Sequence, residues 1–233
     1  MDDVDAFGAA TVARYATSAS LPPVFLAGQS MGGLLACHAL LRSKPRWAGL
    51  LLLSAAIDVR ALRVSFAPPL LTHAAAPLTH RLLHRQVPMT LTLHVQSFLS
   101  PLLARLIPDA EMVPAVHEKD LSRDPAVVAA HASDELVQHK DTKVKIATEI
   151  SKGFRSLSPR YSELDIPLLA LHGTADKVTS LAAVERLFNG SGSNDKKLST
   201  WDGAFHELLK ETCTPEVLVE VTGWITERAR SKL

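Results

Sequence analysis

Apolar residues follow two contrasting patterns along the chain, helical spacing in some stretches and short unbroken runs in others. Residues 3–16 (DVDAFGAATVARYA) repeat apolar positions at helical intervals and predict an amphipathic helix, which Pro22 and Pro23 separate from the next element. VFLAG, 24–28, predicts a buried strand, and Met31 to about Arg42 a helix closed by Pro45. WAGLLLLSAA, 47–56, predicts a second strand; its apolar run does not alternate, as expected where helices cover both faces of a parallel sheet. Strand, helix, strand implies a right-handed crossover. The pattern returns late in the chain. IPLLALH, 166–172, predicts a strand, Leu181–Phe188 a helix, KKLSTW, 196–201, a more polar strand, and Pro215–Arg230 a long helix. Such alternation specifies an α/β fold with a mostly parallel sheet.

Residues 58–160 look different, rich in Leu, Ala, His and Pro, with helical periodicity and few strand signals. The expected organisation is therefore a core from 1–57 and 161–233, interrupted by a helical cap at 58–160 that returns to the core. A block inserted there would lie over the strand carboxyl ends, where open α/β sheets bind ligands. Phe66, Leu70, Leu71, Met89, Leu99, Leu102 and Leu103 fit an acyl tunnel beneath the cap and fit ordinary cap core equally well. His80 and His84, four apart, could share a helix face and a zinc ion. No acidic third ligand lies near them in the sequence, and the Leu-rich stripe around them favours a solvent-facing cap helix.

Composition narrows the partners. The 233 residues are 47% hydrophobic with a formal charge of +1, enough length and apolar content for one sizeable core. No block of like charges gives nucleic acid or an acidic membrane surface a reason to bind; a lipid partner would have to be met through apolar surface, including peripheral membrane contact by the cap. Cys37 and Cys213 show neither metal spacing nor a paired framework and read as core thiols. The opening MDDVDAFGAA lacks the basic start and apolar centre of a secretory peptide, and no apolar run is long enough for a bilayer. Ser231-Lys232-Leu233 spells the tripeptide read by the peroxisomal import receptor. Peroxisomal location is the expectation from it; the alternative is a helix end in a cytoplasmic protein.

Chemistry concentrates in three segments. In Gly28-Gln29-Ser30-Met31-Gly32-Gly33 a serine sits between glycines at a strand-to-helix turn, the nucleophile elbow, where close neighbouring backbone demands small residues. The following helix N-terminus favours negative charge at that point, and the Met31 N–H is placed as one half of an oxyanion hole. A serine hydroxyl needs a base and the base needs an orienting carboxylate, in the chain order serine, acid, histidine. LLALHGTADKVTS supplies Asp176 just past the third strand, and TWDGAFHELLKE supplies His206 in the loop after the fourth. Alone, Asp176 reads as a turn residue or cap and His206 as one of 10 histidines. Together they complete a candidate triad on successive strand ends.

GQSMGG, LLALHGTADKVTS and DGAFHELLKE closely resemble the matching segments of the monoacylglycerol lipase family of α/β-hydrolases, also described as serine aminopeptidase S33-like hydrolases and including plant caffeoylshikimate esterase-like proteins. The likeness spans about 20–56 and 118–230, including LSRDPAVVAAHASDELVQHKDTKVKIATEI, which is similar to the family's return from cap to core. The resemblance implies an α/β-hydrolase fold with a helical cap. It also implies hydrolysis of a carboxylic ester, typically a monoacylglycerol, by Ser30, His206 and Asp176 with neither metal nor organic cofactor. Residues 58–117 match less well, so substrate choice transfers least.

The family also carries several strands and a His-Gly oxyanion loop ahead of its nucleophile strand. Here only about twenty residues precede that strand, and the one His-Gly pair, His172-Gly173, belongs to the acid strand. The chain therefore reads as an N-terminally truncated hydrolase. A lost oxyanion donor costs about two to three orders of magnitude in rate. Three functional readings stand: a serine esterase or lipase; a lipid-binding or regulatory homologue that keeps the triad letters; and a lysophospholipase, thioesterase or peptidase on the same fold.

Overall fold

The computed structural model describes residues 2–16, 22–43, 47–58, 105–113 and 115–230. In chain order its elements are helix α1 (Asp2–Tyr15), strand β1 (Phe25–Gln29), α2 (Met31–Arg42), β2 (Gly49–Leu53), β3 (Glu111–Val113), α3 (Pro125–Ser133), β4 (Thr142–Lys143), α4 (Val144–Leu157), β5 (Leu168–Gly173), α5 (Leu181–Gly190), β6 (Lys196–Trp201) and α6 (Thr214–Arg230). Short 3-10 helices occupy Glu118–Asp120, Ser158–Glu163 and Leu208–Lys210.

The unbroken apolar runs become the two central strands of a parallel sheet ordered β1-β2-β5-β6. Every residue of β2 and β5 is buried, which is why neither run alternates. Leu51, Leu53, Leu169 and Leu171 share one face with Ala204, Leu208 and the α6 residues Val217 and Trp224. Phe25 meets Trp224 edge-on, with ring centroids 5.7 Å apart. Leu50, Leu52, Leu168 and Ala170, equally buried, point to the opposite face by the period-two alternation of strand side chains. The buried residues of α2 and α5, including Leu34, Leu40, Val184 and Leu187, lie outside the α6 cluster and supply cover for that second face.

β6 is more polar because, among the described residues, it is an edge. Lys197 reaches Glu220 at 2.7 Å, and Lys196 Nζ donates to the carbonyls of Phe188 and Ser191, closing the C-terminal end of α5. The register aligns Gln29 with Leu53 and Leu53 with Leu171, so β1 and β2 end in step, β5 runs two residues further, and their carboxyl ends form one rim.

Two compact units divide the chain. One comprises Met1–Arg63, Val116–Gln138 and Ser151–Leu233; the other comprises Val64–Ala115 and His139–Ile150. The sequence placed 58–160 in a single block, whereas the contacts group 116–138 and 151–160 with the strand-bearing unit. The reason is local bonding: Ser122 Oγ donates to Lys210 O, Glu207 N donates to Leu121 O, and Phe154, Leu157 and Leu164 are buried. In the second unit β3 and β4 pair antiparallel, Lys143 reaches Asp109 at 3.1 Å, and Val144 N donates to Ala110 O. Strands of two and three residues are too short to show alternation, so the sequence missed this pair. The expectations for His80 and His84, for the tunnel residues from Phe66 to Leu103, and for Ser231-Lys232-Leu233 fall outside the described residues. Among those that are described, no helix is long and apolar enough to cross a membrane.

Candidate active site

Ser30 follows β1 directly and caps α2, with φ 51° and ψ −124°. A non-glycine residue at positive φ is strained by about 1 kcal/mol or more. Three backbone bonds hold it there: Ser30 N donates to Leu53 O, and Ser30 O accepts from Gly33 N and Ala56 N. Its side chain makes no capping hydrogen bond, so the hydroxyl is not spent on the helix. The surrounding glycines have unequal roles. A Cβ on Gly28 would fall 2.3 Å from Gly32 O, and one on Gly33 would fall 2.4 Å from Ala55 Cβ. Gly32, the second glycine of the pattern, has nothing within 4 Å among the described residues. The elbow is therefore packed by Gly28 and Gly33.

Asp176 lies three residues beyond β5, and His206 follows β6 in the next loop. A close backbone approach joins the two loops: a Cβ on Gly173 would sit 2.2 Å from Ala204 O. Ala175 N donates to Ala204 O at 3.1 Å, and the Lys177 ammonium lies 5.3 Å from the Phe205 ring centroid. His206 Nδ1 then stands 2.9 Å from Asp176 Oδ2, with both side chains almost wholly buried. An ionised carboxylate only accepts, so Nδ1 carries the proton and Nε2 of the neutral ring keeps its lone pair. Among the described residues no hydrogen bond joins Ser30 to His206. The structure thus pairs acid and histidine directly and sets the serine on the same rim, at the end of β1.

Two further residues attend the carboxylate. Thr179 Oγ1 lies 2.7 Å from Asp176 Oδ2 and 3.0 Å from Ser54 O, while the amides of Val178 and Thr179 donate to Asp176 Oδ1. Burial alone would raise the Asp176 pKa. The bond and charge of His206 and the bonds from Thr179 outweigh it and hold the carboxyl below its usual range. His172, fully buried on β5, places Nε2 3.4 Å from the same oxygen, and neither of its ring nitrogens completes a hydrogen bond among the described residues. Burial pushes this imidazole below its ordinary pKa, against the pull of Asp176. Sequence reasoning singled out Ser30, Asp176 and His206 as candidates and passed over Thr179 and His172, although both stand in the stretch that supplied the acid. Cys37 is buried and its thiol is pushed up to about 12 by burial, which makes it unreactive.

The segment before α3 embraces the histidine loop. Arg123 Nε meets Glu211 Oε2 at 2.9 Å, and a groove of about 520 Å³ opens alongside, between Lys119, Arg123, Phe205 and the Val128, Ala129 and Ala132 side of α3.

Comparison with known proteins places these features in context. The family model described as serine aminopeptidase, S33 matches residues 1–213. Monoglyceride lipase of Rattus norvegicus is 26% identical over 208 residues, covering 88% of this chain and 59% of that protein. Monoacylglycerol lipase of Mycolicibacterium smegmatis is 35% identical over 105 residues, covering 45% of this chain and 38% of its own. The chain thus spans less than two thirds of the length of either relative. A soluble variant of monoglyceride lipase from Saccharomyces cerevisiae, solved with a substrate analog, superposes with a TM-score of 0.71 at 18% identity. It covers 97% of this chain and 68% of that one.

Proposed function

The chain belongs to the serine aminopeptidase S33 family and has the α/β-hydrolase fold, and from that premise we propose that it is a serine hydrolase of carboxylic esters, acting on monoacylglycerol-like lipids. The observation that carries the reading is the Asp176–His206 pair at 2.9 Å together with a strained, uncapped Ser30 on the same rim of the parallel sheet. His206 Nε2 takes the Ser30 proton as Oγ bonds to the ester carbonyl carbon. The carbonyl π pair moves onto oxygen, facing the Met31 N–H at the start of α2. Collapse breaks the C–O bond to the alcohol, and the imidazolium donates the proton to the leaving oxygen. Water repeats the sequence on the acyl-serine: His206 deprotonates it, the acid departs and Ser30 regains its proton. Asp176 holds the ring in the tautomer that leaves Nε2 free and stabilises its charged form. Apo hydrogen bonds between nucleophile and base are often long and tighten with substrate.

Lipid esters are favoured by the names of the relatives, monoglyceride and monoacylglycerol lipases. The test is a fluorophosphonate probe applied to the full chain. The expected result is covalent labelling that Ser30→Ala abolishes, followed by release of fatty acid from a monoacylglycerol. Folded protein that does not label would leave the lipid-binding reading in place of catalysis. Labelling with no turnover of monoacylglycerol but turnover of lysophospholipid or acyl thioester would move the substrate, not the mechanism. Import into peroxisomes belongs to the same proposal through Ser231-Lys232-Leu233. A fluorescent fusion whose location is unchanged when those three residues are removed would refute that part.

A further inference from the structure

We infer that Glu211, held by Arg123, is a positioning residue for His206. The inference rests on the hydrolase reading above and names a part of the site outside the triad. Glu211 is five residues past the histidine, and its side chain is 0% exposed. Oε1 accepts from the backbone N–H of Phe205 and of Arg123, both at 3.0 Å. Oε2 accepts from Thr212 N and from Arg123 Nε, both at 2.9 Å. An ionised carboxylate is costly to bury unless its oxygens are fully bonded, and this one accepts from four N–H groups. A well-packed apolar side chain would serve stability alone as well or better. What the carboxylate adds is direction, because its donors come from two distant stretches of chain and one of them, Phe205 N, belongs to the residue immediately before His206.

The neighbouring bonds act in the same sense. Glu207 N donates to Leu121 O at 2.8 Å, and Ser122 Oγ donates to Lys210 O at 2.7 Å. The histidine loop is therefore grasped at 207, 210, 211 and 212 by residues 121–123, and Glu211 passes that hold on to Phe205 N. Asp176 fixes the ring of His206 through Nδ1, and Glu211 fixes the backbone from which the ring projects. With both anchors in place, Nε2 has one direction. With Asp176 alone, the ring can pivot about the Nδ1 bond, and a displacement of about 1 Å at a reacting atom costs on the order of 100-fold in rate.

The experiment is a time course of fluorophosphonate labelling on the full chain, comparing wild type, Glu211→Gln and Arg123→Gln. Glutamine keeps the volume at 211 but turns one acceptor oxygen into a donor facing other donors. Glu211→Gln is expected to lower the labelling rate constant by about 10- to 100-fold while the soluble protein still labels to the wild-type endpoint. Arg123→Gln, at a half-exposed position where folding is less at stake, is expected to lower it severalfold. With p-nitrophenyl butyrate the loss should appear in kcat, with KM within about threefold. A purely structural role would instead reduce the endpoint at an unchanged rate constant, and that result in either variant overturns the inference, even if Glu211→Gln is insoluble and Arg123→Gln alone is measured. Wild type that does not label refutes the hydrolase reading and this inference with it; wild type that labels beside unaltered variants refutes the inference alone.

Discussion

Asp176 Oδ2 is the most heavily shared atom of the site, with His206 Nδ1 at 2.9 Å, Thr179 Oγ1 at 2.7 Å and His172 Nε2 at 3.4 Å. Thr179 has a single hydroxyl proton and two acceptors, Asp176 Oδ2 and Ser54 O, and the shorter distance gives the carboxylate the larger share. It thereby ties the acid to the end of β2, the strand paired with the one that carries Ser30. Thr179→Val preserves shape and removes the proton, leaving Ser54 O without that donor. A buried hydrogen bond to a charged group is worth about 1.5–3 kcal/mol, so the expected outcome is a loss of about that stability and a fall of about tenfold in labelling rate. Thermal melts and labelling kinetics on Thr179→Val and Thr179→Ser separate the two, since serine restores the proton and should recover most of the rate. At this scale the sequence disclosed the three candidate residues and hid the groups bonded to them. Thr179 also reaches Ser54, 125 residues away, and Glu211 also reaches Arg123, 88 residues away, and neither of those long-range bonds leaves a local pattern.

The elements were easier to read because their signals are local. The helix from Met31, the four-leucine run of β2 and the polar β6 all follow from patterns a few residues long, and β1, α2 and β2 fall within a residue or two of their expected bounds, apart from trimmed strand ends. What failed to show was β3 with β4, strands too short for a pattern, and the grouping of 116–138 by contact with the strand-bearing unit, which rests on partners far along the chain. The elbow lies between these cases. Its Gly-x-Ser-x-Gly spelling marks Gly32, yet the steric demand is at Gly33, whose absent Cβ makes room for Ala55. Gly33→Ala should therefore lower stability by about 1–3 kcal/mol through overpacking and slow labelling with it. Gly32→Ala, in open space within a helix, should be neutral or stabilising by up to about 1 kcal/mol. Urea midpoints of the pair decide the matter, and equal losses at both positions would show that the motif glycine matters for more than space.

Across the whole molecule the buried ionisable groups set a stability curve with predictable limbs. His172 has a folded pKa below its unfolded value of about 6.5, so as pH falls the unfolded chain takes that proton first. Its contribution is complete above about pH 6.5 and is lost progressively below it, down to the folded pKa. Asp176 and Glu211 are also held below their ordinary range, Asp176 chiefly by His206 against the cost of burial, Glu211 by the Phe205, Arg123 and Thr212 amides against the same cost. Their contributions are complete above the unfolded carboxylate values of about 4 and are lost below them. In both windows the unfolded state binds more protons, so stability rises with pH throughout. On the alkaline side the sign reverses: Cys37, raised to about 12 by burial, stabilises fully below its unfolded value of about 8.5 and loses that contribution as pH rises towards 12. Urea unfolding from pH 3.5 to 9.5 should trace a dome with an acid limb in two steps. His172→Gln should erase the step beginning near 6.5 and spare the one near 4, whereas Glu211→Gln should shrink the lower step alone. A wild-type curve that stays flat from pH 7.5 to 5 would mean that His172 titrates in the fold as it does in the unfolded chain. The neutral buried imidazole beside Asp176 would then have to be abandoned.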